Sequence, residues 1–288
     1  MIIMAGKYPA GGAPPCRAAF AQAVSRPDPL IDLAEAALLI AKEEYPELVV
    51  SAYLCRLDAM AESARPRIRD PRDPREICAG LNEQLFRQEG FRGNTEDYYN
   101  PRNSFLNEVL DRRVGIPITL SLVYMELARR LGLSLQGVGM PGHFLVKCSA
   151  PGGEIVIDPF GGGAILSIAD CQRILDKLFD GRVAFEPRMF APISSRQILM
   201  RILNNLKGIY VKADQYGKAL SVVDRLLILH PDSPCDLRDR GLLACQLKRY
   251  AEASENLDRY LRLVPQAEDR DVIREHLRSI RERVVALN

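Results

Sequence analysis

His143 and Asp158 have the residue types and the spacing of a general base and the acid that orients it. His143 begins one candidate strand, residues 143–148, and Asp158 ends the next, residues 154–158, with a glycine-rich hairpin-type turn between them. Neighbouring antiparallel strands can place two such side chains side by side. In cysteine hydrolases and acyl transferases a histidine accepts the thiol proton and an acid fixes its imidazole. The pattern predicts such a pair here.

The helix before these strands is the element that would carry a nucleophile. In such enzymes the thiol sits at a helix N-terminus, where the positive end of the helix lowers its pKa. Apolar residues recur with helical spacing from Leu120 to Leu131, Pro117 suits the first helical position, and Gly132 ends the pattern. A further strand candidate, residues 135–140, connects this helix to the strand of His143.

A run of polar residues precedes that helix. Asn100 and Pro101 predict the start of another helix, with Asn100 as its cap. Its polar side chains include Asn103, Asn107, Glu108 and Arg112. Glu108 and Arg112 are four residues apart, so we expect them to pair on one face. Either these groups line a cleft and bind a polar or peptide-like ligand, or they belong to a capped, salt-bridged helix beneath the site.

Composition argues against several functional classes. The 288 residues, 47% hydrophobic and 26% charged, are typical of a globular protein with room for two domains. A net charge of +2 gives no global argument for nucleic acid or membrane binding. The seven cysteines form no CxxC pair and there are only three histidines, so we expect no metal and no cofactor. Scattered, reduced thiols favour a cytoplasmic protein.

The chain before the core predicts a mostly helical layer. Residues 1–29, rich in Ala, Gly and Pro, are interpreted as a flexible leader. Helical spacing recurs within residues 30–64 and again within residues 76–88. Residues 65–75, with three prolines and many charges, predict a solvated connection, and an arginine patch for phosphate is the weaker alternative. We expect one domain, residues 30–192, in which this layer precedes the α/β core.

Residues 193–288 predict an all-α domain with an internal repeat. Matching residues recur 34 positions apart, at Ala219 and Ala253, Val223 and Leu257, and Pro231 and Pro265. This period, with small residues where helices touch and proline at the end, resembles the tetratricopeptide repeat. A last helix, residues 269–287, would cap the stack. Because two units are fewer than a free-standing array needs, we expect either residues 194–207 or the first domain to cover the exposed face.

Four segments resemble the SirB-like branch of the transglutaminase-like superfamily. They are residues 100–110 (NPRNSFLNEVL), 112–121 (RRVGIPITLS), 141–145 (PGHFL) and 157–161 (IDPFG). The resemblance extends over residues 30–266, and members of this branch often carry tetratricopeptide repeats after the core. It implies an α+β fold: a transglutaminase-like (papain-like) core with a helical N-terminal layer, followed by the all-α repeat domain. It also implies that His143 and Asp158 are the base and the orienting acid.

The same resemblance exposes a departure from the enzymes of the superfamily. Their cysteine lies about fifteen residues before the glycine that ends the core helix, and here that position is Pro117, which has no side-chain proton. Thr119, Ser121 and Ser104 are candidate substitutes, although a hydroxyl in a first helical turn more often bonds the backbone. Cys148 lies an odd number of residues after His143 on one strand and is therefore expected to face the core.

Two functions from different classes follow. The first is a degenerate, non-enzymatic interaction or regulatory module that recognises a protein or peptide through the cleft and the repeat groove. The second is a cysteine-independent hydrolase or acyl transferase that acts on a peptide or amide bond with His143, Asp158 and a hydroxyl or water. Binding to nucleic acid or to membranes is not expected.

Overall fold

A computed structural model of the protein describes residues 15–286, with side chains to residue 283. Residues 1–14 of the predicted leader and Leu287, at the end of the predicted last helix, lie outside the described residues. The rest of the predicted leader is not a free segment. Residues Pro15–Ala23 form helix α1, and Phe20 and Val24 are buried against the next helix. Composition suggested flexibility, but two large apolar side chains suffice to hold a short helix onto the core.

Three further helices complete the N-terminal layer, namely α2 (Leu33–Lys42), α3 (Val50–Ala64) and α4 (Pro74–Asn82). Asp32 caps α2 by accepting a hydrogen bond from the Glu35 amide, and Asp73 caps α4 by accepting one from the Arg75 amide. A π-helical turn, Glu83–Gln88, prolongs α4. The layer therefore has the helical character that the apolar spacing indicates.

The single helix predicted from Asn100 is divided in two. Pro101–Asn103 form one 3-10 turn, and α5 (Leu106–Arg112) begins only after Phe105, whose backbone is extended. Asn100 does act as a cap, since its side chain accepts a hydrogen bond from the Arg102 amide. Because of this interruption, Arg102 of the 3-10 turn can reach Glu108 of α5.

Helix α6 (Pro117–Arg130) is the centre of the domain. Every residue in its first two turns is buried, because the N-terminal helices cover one side and a sheet covers the other. The apolar stripe predicted for this helix thus continues around most of its circumference. A helix buried on all sides is positioned by packing more than by its own propensity.

Seven short strands accompany these helices within residues 15–286. They are β1 (Arg92–Gly93), β2 (Val114–Gly115), β3 (Gln136–Val138), β4 (Leu145–Ala150), β5 (Gly153–Asp158), β6 (Ala164–Leu166) and β7 (Pro192–Ile193). The first two form a parallel pair. The other five form an antiparallel sheet in the order β6-β5-β4-β3-β7. Helix α7 (Ile168–Phe179) packs on the face opposite α6 through Cys171 and Leu175.

The C-terminal region consists of two helix pairs and a last helix. They are α8 (Ser195–Lys212) with α9 (Tyr216–Leu229), α10 (Pro234–Gln246) with α11 (Tyr250–Leu263), and α12 (Arg270–Ala286). The 34-residue period recurs in the backbone, since Asp214 and Lys248 both adopt left-handed conformations, with φ of 54° and 60°, in the turn of each pair. Gly241 is required for close packing, because a Cβ there would lie 2.6 Å from Leu257 Cγ.

No packing boundary separates the core from the first helix pair. Apolar side chains of α2, α6, α8 and α9 belong to one continuous buried cluster. Buried charges cross the same junction: Arg17 lies 2.7 Å from Glu43 and 2.5 Å from Asp224 of α9, and Arg225 also pairs with Glu43. The first domain therefore covers the repeat surface that two units leave open.

Candidate functional site

His143 lies in a turn that leads into β4. Gly142 has φ of 66°, and the His143 amide donates to the Met140 carbonyl at 3.1 Å, which closes a tight turn. The strand itself begins at Leu145, two residues later than the sequence predicts. The imidazole is 8% exposed. The turn therefore presents the ring at the end of the sheet instead of in a regular strand position.

Asp158 ends β5, as predicted, and its own loop fixes its carboxylate. The Phe160 amide donates to Asp158 Oδ1 at 3.0 Å. The glycine run 161–163 forms a turn, and the Gly163 amide returns to the Asp158 carbonyl at 2.8 Å. A Cβ at Gly161 would lie 2.8 Å from Asp158 Oδ2, so the small residue leaves room for the carboxylate.

The structure brings the two predicted residues together. His143 Nε2 lies 3.0 Å from Asp158 Oδ1. Nε2 meets hydrogen-bond geometry with no partner in the described part of the chain, so the two groups are in contact without a linear hydrogen bond. The edge of the Phe160 ring stands 5.8 Å from the imidazole between ring centroids, at 82°. Asp158 and Phe160 thus fix the orientation of the imidazole.

No thiol or free hydroxyl faces this imidazole from the start of α6. Pro117 occupies the first position of the helix. Thr119 Oγ1 accepts from the Ile116 amide at 3.1 Å and lies 2.8 Å from the Asn103 carbonyl, to which it donates. Ser121 Oγ lies 3.4 Å from the Phe144 carbonyl. Both hydroxyls are buried and contact backbone groups, which they hold in place.

Cys148 is a core residue of β4. It is buried beside Cys78 of α4. The neighbouring Cys78 thiol lowers the pKa of Cys148, and the proximity of Cys148 together with burial raises the pKa of Cys78. Within residues 15–283, none of the hydrogen bonds made by side chains joins Cys148 to His143.

The polar run before α6 forms a structural network. The Asn103 side chain is fully buried and donates to the Asp97 carbonyl at 2.7 Å and to the Tyr98 carbonyl at 3.2 Å. Its Oδ1 accepts from Asn94 at 3.1 Å and from Arg112 at 3.3 Å. Asn103 therefore holds the loop of residues 94–98 against the start of α6.

The predicted pairing of Glu108 with Arg112 is wrong. Glu108 pairs with Arg102 at 2.7 Å, because the break after the 3-10 turn lets Arg102 fold back over α5. Arg112 is directed to Asn103 instead. Asn107 and Ser104 are buried, and Asn107 Oδ1 and Ser104 Oγ have no hydrogen-bond partner among the described atoms.

Two side chains near His143, Arg201 and Tyr98, are not predicted by the sequence analysis. Arg201, in the second turn of α8, donates through Nη2 to the His143 carbonyl at 3.0 Å and the Met140 carbonyl at 3.4 Å. Its guanidinium carbon lies 5.3 Å from the centroid of the Phe144 ring. Tyr98 reaches the far side of Phe160, with ring centroids 6.5 Å apart. The adjacent aromatic pair Tyr98-Tyr99 in a polar, turn-rich stretch was the one available signal.

Family models match both regions of the chain. Residues 51–204 match the model described as transglutaminase-like superfamily, which is more than half of the chain, and residues 206–278 match the tetratricopeptide repeat model. The chain belongs to the transglutaminase-like superfamily. The recognition of this superfamily and of the C-terminal repeats from sequence is confirmed, as is the α+β class.

Relatives share this architecture over most of their length. A UPF0162 protein of Xylella fastidiosa is 38% identical over 253 residues, which cover 87% of this chain and 90% of the relative. A UPF0162 protein of Vibrio cholerae is 28% identical over 236 residues, covering 82% and 87%. F-box only protein 21 of Homo sapiens is 32% identical over 168 residues, covering 54% of this chain and 26% of that protein.

Among residues 15–283 no group of three His, Cys, Asp or Glu side chains is arranged to hold a metal ion. No helix within the described range is long and apolar enough to cross a membrane.

Proposed function

We propose that this transglutaminase-like protein is a degenerate member of its superfamily that binds a protein or peptide segment and performs no acyl transfer. The observation that carries the proposal is the use of the α6 hydroxyls, because Thr119 and Ser121 bond backbone carbonyls. Pro117 begins α6, and the resemblance to the enzymes of the superfamily assigns the nucleophile to that position. A nucleophile must lie within hydrogen-bond reach of its base. The hydroxyls of α6 are therefore not available to give a proton to His143.

The retained pair then has a binding role. His143 is held by Asp158 and Phe160 at the edge of the sheet, and the turn that carries it is fixed by Arg201 of α8. Tetratricopeptide helices generally mediate contacts between proteins. The site therefore lies where the degenerate cleft meets the first repeat helix, and a partner segment would contact both.

Catalysis and binding are separated by a turnover assay on the full chain. Fluorescein-labelled casein reports hydrolysis, and incorporation of dansylcadaverine into casein reports transamidation. We expect the wild type and His143→Ala to give the same background rate, while circular dichroism shows the same fold. A rate in the wild type that His143→Ala abolishes would overturn the proposal.

One observation favours the second candidate, a cysteine-independent hydrolase. The 3.0 Å contact between His143 and Asp158 survives although the nucleophile position is proline. Such a pair can activate water. In that case Asp158→Asn would reduce turnover of labelled casein and change its pH profile, whereas a binding module would show neither effect.

A further inference from the structure

An exposed line of aromatic side chains extends from the His143 turn. Phe160 contacts His143 on one side and Tyr98 on the other, and Tyr98 contacts Tyr99 with ring centroids 5.3 Å apart. Tyr98 is 36% exposed and Tyr99 is 65% exposed. A glycine underlies the line, because a Cβ at Gly93 would lie 2.5 Å from the Phe160 ring. The rings therefore form a fixed wall with one face open to solvent.

Helix α8 lies beside this wall of rings and forms the other half of the surface. Arg201, Asn205, Gly208 and Lys212 follow at intervals of four, three and four residues, which places them on one stripe of the helix. Asn205 and Gly208 are exposed, and a Cβ at Gly208 would meet nothing within 4 Å. An exposed amide and an open glycine allow an extended backbone to approach the helix closely.

The two cations of this stripe are not neutralised by carboxylates. Lys212 Nζ lies 4.6 Å from the centroid of the Tyr99 ring, and Arg201 lies against the Phe144 ring and donates to backbone carbonyls. Neither has a carboxylate within ion-pair distance among the residues whose side chains are described, whereas the largely buried side chains of Arg17, Arg130 and Arg225 do. Burial lowers the pKa of Arg201, and a carboxylate ligand would offset that cost.

We propose that this aromatic-cationic surface, formed by Tyr98, Tyr99, Phe160, Arg201, Asn205 and Lys212, binds an extended acidic peptide segment. The proposal rests on the proposed function and names the chemistry of its partner. Rings pack against apolar side chains, the Asn205 amide serves the peptide backbone, and the two cations pair with spaced carboxylates. Arg201 and Lys212 are eleven residues apart, about 16 Å along the helix, which an extended peptide spans with roughly five residues.

Single-stranded nucleic acid would also use rings and cations, but the surroundings disfavour it. A phosphate backbone places a charge at every nucleotide and needs a continuous positive groove. Here Glu96 and Asp97 are exposed next to Tyr98 in the chain, and the two cations stand about three helical turns apart. A peptide, in contrast, can carry carboxylates only at the positions that contact Arg201 and Lys212 and be uncharged elsewhere.

The test selects displayed random peptides of about 12 residues, enough to cover the stripe and reach His143 in extended form, on the immobilised full chain. We expect the enriched peptides to be more acidic than the input library. One enriched peptide, labelled with fluorescein, is then titrated by fluorescence polarisation. Lys212→Glu should weaken its binding at least tenfold, the usual effect of replacing a charge-assisted contact by a repulsion, and Tyr99→Ala should weaken it less.

Arg274→Glu is the matched control, because Arg274 is exposed on α12 and the substitution changes the net charge equally. It should leave binding within twofold, which excludes a general charge effect. Arg201→Gln is a supporting variant only, since it also loses bonds to the His143 turn. Lys212 is exposed at the end of α8, so Lys212→Glu should leave the fold intact.

The outcomes separate this inference from the proposed function. Enriched peptides with no acidic bias, or equal losses from Lys212→Glu and Arg274→Glu, overturn the acidic partner and leave a peptide-binding module. No enrichment over an uncoated support contradicts both. A single-stranded RNA oligonucleotide that displaces the peptide and binds more tightly shows that the surface takes nucleic acid and overturns the inference.

Discussion

Phe20→Ala measures how firmly α1 is joined to the rest of the protein. The Phe20 ring is 0% exposed and lies in the main buried cluster, although composition assigns this stretch to a flexible leader. Returning a large apolar side chain to water costs roughly 1.5–3 kcal/mol. The cavity left behind raises the loss of unfolding free energy to about 3–5 kcal/mol.

Urea unfolding followed by circular dichroism is the suitable assay, because the chain has no tryptophan for fluorescence. Gln22→Ala, on the exposed side of the same helix, is the matched control and should change the unfolding free energy by less than about 0.5 kcal/mol. A loss below about 1 kcal/mol for Phe20→Ala would show that α1 is detached in solution, and the packing described for the N-terminal layer would be refuted.

Three further predictions concern packing, the buried network and thiol chemistry. Gly241→Ala should lower the unfolding free energy by about 1–3 kcal/mol, because the new Cβ would lie 2.6 Å from Leu257. Gly208→Ala, in open space on a helix, should raise the unfolding free energy by roughly 0.5–1 kcal/mol. Urea unfolding measures both variants, and equal effects would contradict the repeat packing. Asn103→Ala should cost about 2–4 kcal/mol in the same assay, because it removes the buried bonds to the loop of residues 94–98, and an unchanged midpoint would remove Asn103 from its structural role. Burial raises the pKa of Cys171 to about 11, so at pH 8 iodoacetamide should label it far more slowly in the folded protein than in urea, as mass spectrometry would show; equal rates would contradict its burial.

The sequence predicts elements well where one segment carries the whole signal. Pro117 and Gly132 bound α6 because each acts on its own backbone, and the 34-residue period reappears in the matching turns at Asp214 and Lys248. The close approach of His143 to Asp158 also follows from local order, since two adjacent strands and a short turn leave little freedom.

Contacts between segments that are distant in the chain could not be predicted from the sequence. Helical spacing favoured Glu108 with Arg112, but Asn103 draws Arg112 away and a break in the helix brings Arg102 to Glu108. Arg201 is 58 residues from His143, and only the fold places its guanidinium on that turn. The periodicity of apolar residues describes one helix or strand at a time, whereas these side-chain partners are determined by the packing of several elements.

Helix α8 packs against both regions of the chain, so the polypeptide cannot be divided beside it without exposing apolar surface. Its apolar side is part of the cluster that includes α2 and α6, and its other neighbour is α9 of the first repeat. A fragment cut near residue 193 would expose that apolar side on one piece and the helices it covers on the other, and both pieces would tend to aggregate. We therefore expect a deletion that begins near residue 193 to destabilise the transglutaminase-like half, because it uncovers the apolar side chains that α8 buries.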